Sequence, residues 1–424
     1  MIAPWIFVAA ARVLTLDDAL AETERLQPAV RVARANELAA DARADVARAV
    51  LFPQLTLNAS YQRSTANFVQ RPGAVPQSVD TSGGISATTY DFFNFGATIS
   101  QQIYDFNQSI FRWQAQKKTA ESAVQQTRDQ LVQSAYATRI AYFNVGAQRA
   151  LVLVAERTLE NERKHLSLAQ AQVEVGARPA IEVSQAKTQL ANARVQLIQA
   201  RAAEDNAKQT LNVAIGRIAG VDFDVDLVSA PPVPGEELTA DVLVDAALQD
   251  RPDLAAIERQ LAAADATLVS LKGGYGPTLG LSSGVTEAGR RFDQMAFNWN
   301  ILVSLTWNVF SGLSTYRSVA EGSSEKTALE AQRDALLQQV RAQIAQATRA
   351  LNAAREAIGA ADDAVNAARE RLALAEGRYQ AGIGNAIELG DSQVALTQTE
   401  AQRVQADFNL ASARAQLVRA LGRR

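Results

Sequence analysis

The chain repeats itself. Pro28 in Gln27-Pro28-Ala29-Val30 and Pro252 in Arg251-Pro252-Asp253-Leu254 head similar segments, and Asp41-Ala42 matches Asp265-Ala266. Pro53 in Phe52-Pro53-Gln54-Leu55 matches Pro277 in Gly276-Pro277-Thr278-Leu279; all these pairs lie 224 positions apart. Further along, Tyr104 pairs with Phe310, Gly176 with Gly382, Glu182 with Glu388 and Gly216 with Gly422, each 206 apart. The first copy is therefore longer by 18 residues, all inserted between Pro53 and Tyr104. Two copies of one unit in a single chain restrict the fold to one in which that unit can meet itself.

The copies place residues 12–218 in repeat 1, residues 219–240 in a linker and residues 241–424 in repeat 2. The linker is marked by Pro231, Pro232, Pro234 and Gly235, with one small strand expected at residues 222–227. Insertions collect in exposed loops. The segment 63–88, with Pro72, Gly73, Pro76, Gly83 and Gly84, has the turn chemistry of such a loop; its counterpart, about residues 287–296, is short.

Each copy pairs long helices with short strands. No proline falls between Pro76 and Pro179 or after Pro277, and both stretches are rich in Ala, Gln, Leu and Arg, strong helix formers. This predicts helices over 107–174, 180–215, 313–380 and 386–421. The breaks fall at Val175-Gly176-Ala177-Arg178-Pro179 and Ala381-Gly382-Ile383-Gly384; glycine fits just past a helix end and proline just inside the next start. Helices alone would read as a coiled-coil rod. The strands, expected over 54–62, 89–105, 278–286 and 296–310, argue otherwise. Phe297, Trp299, Ile301, Val303, Leu305, Trp307 and Val309 alternate with mostly small or polar residues, and Leu55, Leu57, Ala59 and Tyr61 do the same. This is period two with one apolar face. The other face is polar but nearly uncharged, as in a water-filled lumen, and Tyr61, Tyr104, Trp299 and Trp307 lie near strand ends, where membrane barrels carry aromatic girdles. Four strands cannot enclose a lumen, and an open sheet has edges that lipid does not tolerate, so the barrel must be shared among identical chains.

Composition removes other classes. With 21% charged residues and a net charge of −3, nothing points to nucleic acid. Cysteine is absent, and one His and two Met leave little for a thiolate, imidazole or soft-metal site. No GxxxxGK[ST], HExxH, GxSxG or CxxC occurs, so neither an enzyme nor a cofactor is expected. Gly274-Tyr275-Gly276-Pro277 reads as the start of a strand rather than a phosphate loop, since Pro277 has no N–H to donate. His165, beside Glu162, Arg163 and Lys164, reads as part of a solvated helix face. Residues 2–11 are apolar and end in Ala9-Ala10-Ala11, which reads as the remnant of a signal peptide. One acidic pair stands out: Glu388 and Asp391, three apart and so on one helix face. Glu182 occupies the matching place in copy one, with Gln185 in place of the second acid. Such acids either serve a site or simply complement the helix dipole.

In order, twice over, these features resemble the TolC family of outer-membrane factors. The carriers are Arg251-Pro252-Asp253-Leu254, the strand starts at Pro53 and Pro277, the strand end Trp307-Asn308-Val309-Phe310-Ser311-Gly312, and the breaks followed by Glu182-Val183 and Glu388-Leu389. The resemblance implies a mainly α protein with a membrane β-barrel: a homotrimer whose 12-stranded barrel lies in outer-membrane lipid on a long helical periplasmic barrel. It implies an efflux duct for small molecules, served by a periplasmic adaptor and an inner-membrane pump of RND or ABC type. The same duct serves type I protein secretion in some systems, and a soluble coiled-coil scaffold is the alternative of another class. Val175, Gly176, Ala177, Ala381, Gly382 and Ile383 would form the tip where the adaptor docks. Glu388 and Asp391 would ring the entrance. Tyr379 and Glu182 match a Tyr–acid contact that holds it shut; some members place an Arg where this chain has Gly384, and Arg178 stands as its substitute. The 63–88 loop would face the cell exterior. The chain stops at Arg424 directly after the last helix, so the C-terminal extension of some members is expected to be missing, as is the lipid anchor of others.

Overall fold

The computed structural model describes residues 12–65, 87, 89–218, 223–226 and 230–424. The apolar segment at 2–11 and nearly all of the 63–88 insertion lie outside them. The elements run β1 (Arg12–Leu14), α1 (Leu16–Leu26), α2 (Pro28–Ala49), β2 (Gln54–Thr65), β3 (Thr89–Tyr104), α3 (Gln108–Glu174), α4 (Ile181–Ile215) and β4 (Phe223–Val225). They continue with α5 (Ala240–Asp250), α6 (Pro252–Gly273), β5 (Thr278–Gly289), β6 (Ala296–Thr306), α7 (Ser314–Gln380) and α8 (Ala386–Ala420). Copy for copy the helices match: α3 and α7 each have 67 residues, α4 and α8 each have 35. At about 1.5 Å per residue the long ones run about 100 Å. Among the described residues no helix is long and apolar enough to cross a membrane.

Pro28 and Pro252 open α2 and α6 at the position where a missing N–H costs nothing. The residues just before them perform one shared task. Gln27 Nε2 donates to Ala214 O at 2.6 Å, and Arg251 Nη1 donates to Ala420 O at 3.0 Å. Both acceptors are orphan carbonyls at the ends of α4 and α8. The helix-ending glycines Gly216 and Gly422, with φ of +88° and +73°, let the two segments approach: a Cβ on either would lie 2.8 Å from Gln27 Cα or Arg251 Cα.

The chain forms two compact units that cut across the copies. One comprises residues 1–36, 124–255 and 333–424, the other residues 37–123 and 256–332. The first is helical, with a small parallel pairing of β1 with β4, a partner for the linker strand that the sequence pattern did not indicate. β4 covers 223–225; the rest of the strand expected at 222–227 is Asp226, which is not in a strand, and positions outside the described residues. Its core consists of equivalent clusters. Val145, Leu211 and Ile215 pack with Leu14 and Phe223, while their counterparts Leu351, Leu417 and Leu421 pack with Leu243 and Leu254.

The second unit holds a four-stranded antiparallel sheet in the order β2-β3-β5-β6. Ala40, Ala44 and Ala120 form a small buried seam between α2 and α3 in the same unit. β2 and β5 run to Thr65 and Gly289, three residues past the 62 and 286 expected from alternation, because the backbone ladder continues where side-chain polarity stops alternating. Residues 63–65 therefore belong to a strand and not to the loop, paired with 89–91. β6 is shorter than expected. It stops at Thr306, opposite Thr278, and not at 310, since the next residue of β5's chain is Pro277, which has no N–H for the ladder. All residues of β2 and β6 are exposed. These include Leu57, Trp299, Val303 and Leu305, each about two-thirds or more accessible.

Candidate functional site at the helix breaks

Both long helices end in the same way. Gly176 N–H donates to Val173 O and Ala177 N–H to Gln172 O; Gly382 N–H donates to Tyr379 O and Ile383 N–H to Arg378 O. Gly176 and Gly382 have φ of +71° and +78°, with open space where a Cβ would stand. This is a Schellman ending, and glycine is there for its backbone conformation. Val175, Ala177, Ala381 and Ile383 are all exposed; Val175 and Ile383 are large apolar side chains about three-quarters accessible. Ile181 and Ile387, on the first turns of the return helices, are also exposed. The sequence reading passed over this pair, although its 206-residue spacing repeats an identical residue.

Beyond the glycines the breaks diverge. In copy two, Asn385 caps α8 by accepting from Glu388 N–H at 2.7 Å. In copy one, Pro179 and Ala180 precede α4 with no side-chain cap. Copy one instead supplies a cation. Arg178 Nη2 donates to Gly384 O at 2.7 Å, Nη1 lies 3.5 Å from Glu182 Oε1, and the guanidinium sits 4.9 Å from the Tyr379 ring centre. Tyr379 O–H donates to Glu182 Oε2 at 2.8 Å, and both residues are buried. Tyr379, Glu182 and Arg178 thus form one cluster joining the end of α7 to the start of α4 within a single chain. Burial, then the hydrogen bond and charge of Glu182, push the Tyr379 phenol up to about 12, so it stays a donor at neutral pH. Gly384 has a steric reason. A Cβ there would stand 2.9 Å from Tyr379 N, while its own N–H donates to Arg378 O. A cation on this position would open the turn, whereas Arg178 reaches the same place from the other side.

Glu388 and Asp391 are not part of that cluster. Glu388 is half-exposed, its carboxylate 3.4 Å from Arg378 Nη1. It alone lies in the first turn of α8; Asp391 is one turn further and exposed. The dipole account of the acidic pair therefore covers Glu388 and leaves Asp391 unexplained.

His165 is not on a solvated face, as its charged neighbours in sequence suggested. Its side chain is largely covered, only 11% exposed, with Nε2 3.4 Å from Glu376 on α7 and Nδ1 3.8 Å from Glu162. Burial disfavours its charged form, but the two carboxylates outweigh burial and hold its pKa above 6.5. The partner that covers it lies 211 residues away.

The model of the outer membrane efflux protein family matches residues 19–217 and 243–423, once for each copy. The chain belongs to that family. It is an outer-membrane protein of the efflux-channel class, for which no catalytic activity is indicated. It is 26% identical over 378 residues to the probable efflux pump outer membrane protein TtgC of Pseudomonas putida, covering 86% of this chain and 74% of that protein. The antibiotic efflux pump outer membrane protein ArpC, also of Pseudomonas putida, matches over the same shares at the same identity. The outer membrane protein VceC of Vibrio cholerae has the same fold, with a TM-score of 0.81, 18% identity and 96% of each chain covered.

Proposed function

We propose that the protein is the outer-membrane duct of a tripartite efflux system: a passive homotrimer carrying small molecules from the periplasm to the exterior. The observation that carries this reading is the sheet. One face presents exposed Leu57, Trp299, Val303 and Leu305, the other is mostly small or polar with Leu302 as an exception, and the sheet has two open edges. An apolar patch of this kind suits lipid rather than water, and open edges suit closure by further copies. A soluble scaffold would have no use for such a face. Efflux is favoured over protein secretion because TtgC and ArpC are described as efflux pump proteins.

In this reading the helix breaks form the tip that faces a periplasmic adaptor and, through it, an inner-membrane pump. Val175, Gly176, Ala177, Ala381, Gly382 and Ile383 supply the contact surface. Tyr379, Glu182 and Arg178 hold the tip closed, and Glu388 with Asp391 set the charge at the entrance. The test is fractionation followed by mass measurement in detergent. A detergent-requiring trimer from the outer membrane is expected; a monodisperse, water-soluble monomer would overturn the reading.

A further inference from the structure

Where α3, the linker and α8 meet, the helical unit leaves a hollow of about 180 Å³. Its α3 wall carries Phe143, Gly146 and Ala147, its α8 wall carries Val404 and Phe408, and the linker adds Asp226. Phe143 and Phe408 are half-buried. The Phe143 ring stands edge-on to Tyr142, with centres 5.9 Å apart. The Tyr142 hydroxyl donates to Leu14 O at 3.0 Å, so its ring closes the wall while its proton is already taken.

We propose that this hollow binds a small aryl cation: an aromatic ring seated against Phe143 and Phe408, with an ammonium on a short arm at Asp226. The site is complete within one chain and stands whether or not the chain forms a duct. Its walls come from copy one, copy two and the linker, so a guest holds all three together and stabilises the folded state that contains the hollow.

Size and charge both favour that guest. A cavity of roughly 150 Å³ lined by apolar side chains admits benzene, so this one has room for a ring and little more. Asp226 and Asp407 are the acidic groups of the lining, both exposed and so at its mouth, and among the described residues the lining holds no Lys or Arg. Asp407 is paired with Arg403. Asp226 has no cation partner among the described residues. An unpaired carboxylate beside two phenyl rings attracts a cation over an anion or a neutral ring.

These features are not inherited from the duplication. The shift of 206 turns Gly146 into Asn352, Phe408 into Ala202 and Asp407 into Arg201. The matching place in the other copy thus lacks the ring and carries the opposite charge. Gly146 points the same way. Glycine is disfavoured inside a helix, and a Cβ at 146 would meet nothing within 4 Å. Packing within the chain does not require glycine there; its effect is to widen the hollow.

Phenethylammonium and phenethyl alcohol share a ring and an arm and differ in charge, so together they probe the site. Titration calorimetry on the detergent-purified protein should show saturable binding of the cation and about tenfold weaker binding of the alcohol, the combined worth of an exposed ion pair and a cation–π contact. Asp226→Asn changes an exposed side chain and should erase that difference. Gly146→Leu should block both compounds by filling the hollow, and Phe408→Ala, which removes a wall without adding bulk, should weaken both. In the wild type the cation should also slow amide exchange at residues 143–150 and 404–411. Equal binding of cation and alcohol would leave a plain apolar cavity and overturn the cation site. A cation preference that survives Asp226→Asn overturns the role of Asp226. Binding undiminished in both Gly146→Leu and Phe408→Ala, or no saturable binding to the wild type, overturns the site itself.

Discussion

The two helix breaks begin as copies and end as complements. Each closes a 67-residue helix on a left-handed glycine, and each is followed by a glutamate in the first turn of the return helix. Yet Glu182 is buried against Tyr379 and Arg178, whereas its equivalent Glu388 is half-exposed beside Arg378. Copy one gave up a side-chain cap and gained a cation; copy two kept the cap and kept position 384 empty of side chain. On the proposed reading a duplicated unit divides two tasks, locking and charge-setting, while keeping the glycine turn that ends each long helix. Surface shared by both breaks should behave alike on mutation, and surface that differs should not.

On the proposed reading docking is the task the two breaks share, so it should be the most symmetric and the most severe to lose. Val175→Asp and Ile383→Asp alter exposed side chains and leave the glycines' positive φ untouched, so stability should change by no more than about 0.5 kcal/mol. Each should nevertheless remove most drug resistance in cells while the amount of trimer in the outer membrane stays normal. Resistance at the wild-type level in both would remove the breaks from the docking surface. Loss in only one would mean that the adaptor distinguishes the copies.

Locking should be asymmetric. Removing the Glu182 carboxylate leaves the buried Tyr379 hydroxyl without its acceptor and the mostly covered Arg178 guanidinium with Gly384 O alone, a change that costs about 3 kcal/mol for a buried pair. Glu388→Ala loses one exposed pair and a share of helix-dipole stabilisation, at most about 1 kcal/mol. Hydrogen exchange at the last turn of α7 reads the difference locally: Glu182→Ala should speed it by far more than Glu388→Ala. In planar bilayers Glu182→Ala should also raise the frequency of open events. Equal effects at the two glutamates would dissolve the distinction.

Charge at the entrance is the sharper half of the comparison. Arg378 already offsets Glu388, so Asp391 should carry most of the cation preference. Asp391→Asn alone should weaken cation selectivity and relieve block by multivalent cations nearly as far as the double change with Glu388→Gln. If selectivity and block are untouched by both, Glu388 only stabilises a helix start and both acids leave the site.

Much of this was legible in the sequence because the repeat carries three-dimensional information. Two offsets are enough to align both hairpins, both helix-ending glycines and the two residues that cap α4 and α8 from before Pro28 and Pro252. The end of β6 was not legible, since alternation through Val309 describes a strand only where a partner exists. The Tyr379–Glu182 pair was nameable from the family resemblance, whereas the structure alone gives its burial and the double contact of Arg178 with Glu182 and Gly384. His165 was misread for a simple reason. On a helix this long, the covered face changes from turn to turn, and local neighbours such as Lys164 say nothing of a cover arriving from α7.

That residue gives the smallest expected effect and the one most specific in pH. His165 is held by Glu162 on its own helix and by Glu376 on α7, and these are the charged groups that set its titration. Its folded pKa is raised, so the folded state binds the proton more tightly than the unfolded chain. The stabilisation is fully present below about pH 6.5, the ordinary histidine value, and is lost as pH rises through the folded pKa. The helices α3 and α7 should therefore hold together less firmly at mildly alkaline than at mildly acidic pH. Amide exchange around Glu376, corrected for its intrinsic pH dependence, should show that loosening in the wild type. In His165→Gln it should be flat with pH, because the neutral amide can bond to one carboxylate but cannot titrate. The same pH slope in both proteins would assign it to other groups and leave His165 as packing alone. Glu376→Gln offers the complementary control: it should lower the histidine's pKa and move the loosening to more acidic pH, which a purely steric role for His165 would not produce.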